Sequence, residues 1–514
     1  MSKKKEKKID SAYYVSLIER ITTLHGTSHF TSRTGRSLVM WTLAVVGNMV
    51  LTIAFIMVIK QKFNENQIVT VINANCKVNQ VPFPAVSICN YNMVSMRESQ
   101  NIAKLLKQYN KTEDEIKMFF NALPALKNYG KSSRGLGNFS EIMAILKHHV
   151  FTVDTIMEEV HQKCDTLLLY CTFNRKPKDC QDMFSLVKTY EGHCCTFNYA
   201  ALNDASETPL LPSEPDPDLE YYDDQNPDGG ISTNPTIIAT SESGRGSGLS
   251  VVLNIEPNDY PSWSPVPYYG VKVLLSDPND YPETTVLYRY VTFGEAVDIK
   301  VEPMVFQSDS NVRRVEPQYR GCWFHDEALL SHTNRYSYET CVTECKMKNY
   351  MDACDCVPYK YPREKSTRIC DFEDLKCLNN VTVHKSTKEM QCDPICYMEC
   401  RDKKYTATSD LTPFLSDNFP EEVTAGRNIS ELAALQVYFS KSNCNCYKLT
   451  LLIDLSYFIA TYGGVFSLSF GGSIISLVEI TYLFISFIIT VVLRIITIVI
   501  TKRNKINTMY IVVV

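Results

Sequence analysis

Three small residues, Gly471-Gly472-Ser473, interrupt the most apolar stretch of the 514-residue sequence, and a carboxylate, Glu479, follows shortly after. Leu451 to Ile500 holds only three formally charged side chains, Asp454, Glu479 and Arg494. The stretch is more than twice the roughly 20 residues that one straight helix needs to cross a bilayer. Irregular backbone survives at membrane depth only where protein buries it or water reaches it. The break therefore reads in two ways: an opened helix whose carbonyls and serine hydroxyl face permeating ions, or a small-residue face on which helices pack. An intramembrane carboxylate lines an aqueous path or pairs with a basic group. Glu479 therefore favours the first reading, with Arg494 or Lys502 as its partner in the second. Asp454, at the start of the stretch, either concentrates cations at an outer mouth or is simply solvated.

Such a site needs a membrane topology and a domain to act on it. All 19 cysteines fall between Cys76 and Cys446, so the middle of the chain is oxidised and both ends are reduced. The sequons at Asn110, Asn138, Asn380 and Asn428 lie in the same middle region, as expected for an exported, glycosylated domain. Leu38 to Ile59 is uncharged and about 33 Å long as a helix, enough for one span. It starts too late and runs too long for a signal peptide. Arg33 and Arg36 before it, and Lys502, Arg503 and Lys505 after the second long run, place both ends inside. The expected layout is a cytosolic segment at 1–37, a span at 38–59, an extracellular domain at 60–449, a broken span at 450–500 and a cytosolic tail at 501–514. A net charge of −5 gives no case for a nucleic-acid partner, and no Ser/His/Asp or metal constellation points to an enzyme.

The fold expected is α+β. Val81 to Asn90, with its prolines, reads as an edge strand; residues 95–127 and 141–160 read as helices; alternation at 249–255, 270–275 and 297–305 reads as strands of a β-scaffold. The acidic, Pro-rich 203–248 stretch reads as a solvated loop. Ten cysteines between Cys322 and Cys400 read as a disulfide ladder, and the oxidising, glycosylated context disfavours zinc. Their connectivity is not derivable from spacing.

Several motifs, in order, resemble the epithelial sodium channel, degenerin and acid-sensing ion channel family over nearly the whole chain. They are His25-Gly26 before the first span, Phe83-Pro-Ala-Val-Ser-Ile-Cys89-Asn90 after it, Gly192-His-Cys194-Cys-Thr-Phe197-Asn198 with Cys171 and Cys180, Gly248-Leu249, Gly270-Val-Lys272-Val, and Gly471-Gly472-Ser473 with Ser476 and Glu479. The resemblance implies a trimeric, sodium-preferring, amiloride-sensitive cation channel with a palm, knuckle, finger and thumb ectodomain, the thumb at 322–400. It implies a filter at Gly471, Gly472 and Ser473, an inner-pore ring at Glu479 and a gating motif at His25 and Gly26. It also implies the bridges Cys89–Cys194, Cys171–Cys180, Cys322–Cys400, Cys341–Cys396, Cys345–Cys392, Cys354–Cys377 and Cys356–Cys370. Cys76, Cys164, Cys195, Cys444 and Cys446 are left over, and a bridge from Cys76 to Cys444 or Cys446 is one hypothesis for them. No cofactor is expected, only permeant Na+.

The chain departs from the family at Gly472, where others carry alanine or a larger residue. It departs again at Gln67-Ile68-Val69 and at Tyr319, where acid-sensing members have a tyrosine pair and a tryptophan. An invertebrate neuropeptide-gated member is the best match by elimination, with proton-gated or constitutively open channels as alternatives. Expected partners are lipid, identical or related subunits, and an extracellular peptide or proton. An ATP-gated channel would need a Lys/Arg phosphate cluster, and a non-conducting adhesion receptor would need neither the break nor Glu479. The apolar end, Ile511 to Val514, reads as a frayed tail or a PDZ ligand.

Overall fold

The computed structural model describes residues 35–65, 68–73, 76–129, 139–201, 220–222, 237–263, 266, 268–283, 286–333, 335–363, 366–384, 392–452 and 455–511. His25, Gly26, Asp454 and Asn138 lie outside the described residues. The chain divides into two compact units, one made of residues up to Val69 and from Leu451 on, the other of Thr70–Thr450.

In the larger unit, Ala85-Val-Ser-Ile-Cys-Asn90 forms a strand whose six residues are all buried. It pairs with Val271–Ser276 on one side and with Gly192–Phe197 on the other. This corrects the edge placement expected from Pro82 and Pro84. Both prolines precede the strand, so neither removes a ladder N–H and the strand can lie in the sheet interior. Leu287–Val291 and Phe184–Thr189 complete this five-stranded antiparallel sheet.

A second, eight-stranded sheet is built on Glu295–Ser308, whose burial alternates along 14 residues. That strand pairs antiparallel with Asp402–Pro413 and parallel with both Leu432–Phe439 and Asn445–Leu451. Leu249–Asn254 and Leu168–Phe173 extend the sheet. The rings of Phe83, Phe173, Phe197 and Phe439 meet between the sheets, with centroids 5.4 to 5.9 Å apart. Glu220–Tyr222 and Ile237–Ala239, inside the stretch read as a loop, pair as a small ribbon.

Gly248 sits at this core with φ +81, and a Cβ there would run into the Val437 carbonyl oxygen and the Phe83 ring. Left-handed strain of about 1–2 kcal/mol adds to overpacking of about 1–3 kcal/mol. Gly248→Ala should therefore destabilise the domain by roughly 2–5 kcal/mol, read as a lowered Tm and reduced surface expression.

Helices gather in a second core. The helices expected within 95–127 are Gln100–Gln108 and Glu113–Ala122, separated because Thr112 and Glu115 form a capping box that starts a new helix. Ser140–His148, Val153–Glu159, Tyr338–Cys354 and Leu375–His384 complete the set. The bridges Cys322–Cys400, Cys341–Cys396, Cys345–Cys392, Cys354–Cys377 and Cys356–Cys370 ladder the 322–400 segment. Cys89–Cys194 and Cys171–Cys180 hold the sheets. Four of the five leftover cysteines pair as Cys76–Cys444 and Cys164–Cys195, and Cys446 is a buried free thiol. Cys76–Cys444 ties the start of the extracellular domain to its end, 368 residues apart in sequence. Closing so long a loop removes much of the unfolded chain's freedom.

In the smaller unit, the first apolar helix runs from Arg36 to Glu65, longer than the expected 38–59 at both ends. The second run is two helices, Leu455–Phe470 and Ile474–Ile511. Compared with the expected 450–500, strand geometry holds through Leu451 and the helix continues beyond Ile500. Helical hydrogen bonding has no reason to stop where the apolar sequence stops.

Candidate functional site

The break at 471–473 has defined local geometry. The Leu455–Phe470 helix ends on Gly471, at φ +63, whose N–H donates to the Ser467 carbonyl at 2.8 Å. A left-handed glycine immediately past the last helical residue is how helices stop without Cβ strain. The next helix starts on Ser473. The Ser476 N–H donates to Ser473 Oγ at 3.2 Å, and the Ser473 N–H donates to Ser476 Oγ at 3.2 Å. That reciprocal pair is a capping box with serine in both roles. Gly472 lies between, buried against the Phe466 ring in the space a Cβ would fill.

A helix end leaves carbonyls without intrahelical partners, and in a bilayer each costs several kcal/mol unless something else satisfies it. The Ser469 carbonyl accepts a hydrogen bond from the Asn48 side-chain amide of the first apolar helix. Thr52, 5% exposed, donates its hydroxyl to the Asn48 carbonyl at 2.8 Å. Sequence reasoning missed Asn48. It is the only amide side chain in the 38–59 run, and a strongly polar residue in a membrane span is a functional signal that could have found it.

The structure thus brings Gly471, Gly472, Ser473 and Ser476 into one turn. Glu479 stands three residues beyond Ser476 on the same helix, and residues three apart share a helix face. Ile474, Ile475, Leu477 and Val478 are all more than 60% exposed in the isolated chain, an apolar surface suited to lipid or to other subunits. Of the sequons, Asn110, Asn380 and Asn428 are exposed and separated on the domain surface. Asn428 also caps a short turn through the Ser430 N–H.

A profile of the amiloride-sensitive sodium channel family matches residues 20–483. Pickpocket protein 28 of Drosophila melanogaster is 27% identical over 486 residues, covering 90% of this chain and 76% of that protein. Sodium channel protein Nach of Drosophila ananassae is 25% identical, over 80% of this chain and 74% of that protein. Epithelial sodium channel subunit beta of Homo sapiens is 22% identical, over 66% of this chain and 50% of that protein. Channels of this family are assembled from several subunits and are not enzymes. Because the profile begins before the first apolar helix, crosses the disulfide-rich domain and ends inside the helix that follows the break, the chain belongs to the amiloride-sensitive sodium channel family, as a plasma-membrane sodium channel protein with two spans and cytosolic termini.

Proposed function

We propose that three copies of this chain, or this chain with related subunits, enclose a sodium-selective pore whose narrowest passage is formed by Gly471, Gly472 and Ser473, and that an extracellular ligand opens it. The capped break in the second span is the observation that carries this reading. It interrupts the helical ladder at its carbonyl end and leaves Ser473 on the surface of the isolated chain, where in an assembled pore the carbonyls and the serine hydroxyl would replace part of an ion's water shell. Na+ is the cargo, and the pore requires no cofactor. Asn48 acts as a positioning residue, since its amide fixes a carbonyl two residues before Gly471. His25 and Gly26 fill the gating-motif role on the strength of the sequence resemblance, and Asp454 the outer mouth from its place at the start of the second apolar run.

A short peptide is the ligand best supported. Gln67, Ile68, Val69 and Tyr319 stand where acid-sensing members carry aromatic residues, which argues against simple transfer of proton gating. Whole-cell recording after heterologous expression, applying amidated peptides, acid and amiloride in turn, tests the reading. A peptide-evoked, amiloride-blocked sodium current is expected. An acid-evoked or standing sodium current would replace the peptide with the alternative gating modes, and a surface-expressed protein carrying no current would overturn the channel reading.

Three Glu479 carboxylates near the inner end of the passage would raise the local cation concentration. Glu479→Gln should lower single-channel sodium conductance about two- to fivefold. Unchanged conductance and reversal potential would instead assign Glu479 a structural pairing.

A further inference from the structure

Lys360 is a buried lysine with no carboxylate of its own among the described residues. It is 3% exposed, and its Nζ lies 4.3 Å from the ring centroid of Tyr190, 5.1 Å from that of Tyr129 and 5.4 Å from that of Tyr361. Its one hydrogen bond among the described residues, at 3.5 Å, goes to the backbone carbonyl of Lys127. Among the described residues no acidic oxygen lies within 4.0 Å of it. The two carboxylates that face the site are already engaged. Glu191 sits between Lys127 and Lys272, the latter at 2.6 Å, and the fully buried Glu283 pairs with Lys346 at 2.8 Å.

These groups come from separate parts of the domain. Lys127 and Tyr129 follow the Leu123–Leu126 turn, and Tyr190 and Glu191 connect Phe184–Thr189 to Gly192–Phe197. Glu283 follows Val271–Ser276, and Lys346 and Tyr350 lie on Tyr338–Cys354. Tyr129 and Tyr359, both buried, carry hydroxyls with no hydrogen-bond partner among the described residues. Among the described residues three lysines therefore already outnumber two glutamates, and a proton on Lys360 adds a second positive charge that none of those residues compensates. Contacts with tyrosine faces return only part of what a cation loses on leaving water. Taking an ammonium out of water without a counter-ion costs several kcal/mol. The neutral amine is the form that fits.

We propose that Lys360 is a proton-released latch: its neutral amine holds together the Lys127–Tyr129 segment, the Tyr190–Glu191 turn and the segment after Tyr338–Cys354, and protonation favours their separation. Burial pushes the Lys360 amine down from 10.5 to about 7. Between those two values the separated state binds the proton and the closed state does not, so closure strengthens as pH rises through that window. Below about 7 both states carry the proton, and the stabilisation has been fully lost. The junction's proton linkage stands by itself; its effect on gating rests on the channel reading above.

Hydrogen exchange of the full chain in lipid nanodiscs, followed by mass spectrometry and corrected for the intrinsic pH dependence of exchange, tests the latch. In the regime where exchange follows the opening equilibrium, peptides spanning 356–363 and 186–192 should gain about fifty-fold protection from pH 7 to pH 9. They should change by less than about twofold between pH 6 and pH 7. Lys360→Met, which keeps the side-chain length and removes the proton, should be flat across the range. A flat wild-type profile, or the same slope in Lys360→Met, overturns the proposal; should the variant not fold, the wild-type profile alone decides. pH-dependent protection in a protein that conducts nothing would contradict the channel reading and leave the latch standing.

Discussion

Channels carrying Gly471→Ala should reach the cell surface and lose sodium selectivity, with the Na+ to K+ permeability ratio falling about tenfold, equivalent to ~1.4 kcal/mol. Gly471 holds φ +63, where a side chain costs about 1–2 kcal/mol. The cheapest escape is to let the first helix continue through 471–473 and join the second, since both flanking segments are already helical. That repair returns the helix-end carbonyls to intrahelical hydrogen bonds and, on the proposed pore reading, takes them away from the ion. Ser473→Ala should move the ratio the same way by a smaller factor, because it removes one half of the capping box but leaves Gly471 in place. Bi-ionic reversal potentials, with surface biotinylation as the control, measure both.

Asn48→Leu should cut sodium current about tenfold at matched surface density, and Asn48→Gln should recover part of it. Leucine has the same number and branching of side-chain heavy atoms as asparagine but cannot donate, so the Ser469 carbonyl loses its partner. Hydrocarbon transfer places that cost at several kcal/mol, whereas interhelical hydrogen bonds in membranes contribute about 0.6–2 kcal/mol by mutation. The lower figure governs here, because the helix end can relax towards another donor. A tenfold effect follows from it. A structural role alone would lower expression; a positioning role changes the permeability ratio of the channels that remain.

The sequence announced the break more clearly than its mechanics. Two glycines and a serine in an apolar run cannot hide, and the alternation at 249–255 and 297–305 placed two strands of the large sheet within a few residues. Local patterns could not tell that Ala85–Asn90 is interior, because the strands that flank it come from residues about 100 and 180 positions later. The Cys164–Cys195 bridge was hidden for the same reason, since spacing carries no record of which distant segments meet, whereas Cys76–Cys444 is one of the two pairings that the positions beside the spans suggested. Asn48 was legible as an oddity, but its partner was not. Lys360 left no trace at all: a single lysine between tyrosines reads as an ordinary polar residue until burial and three surrounding rings are seen together.

The central claim is that the Ser473 side chain faces the conducting path, and cysteine modification of Ser473→Cys tests it most directly. With agonist-opened channels carrying sodium current, a thiol-reactive cation such as Ag+ applied from the aqueous side should abolish the current, and faster when the channels are open than when they are closed. Labelling of Cys at 473 that leaves the current unchanged, or a site that only lipid-dissolved reagents reach, would place the serine away from the ions and contradict the account.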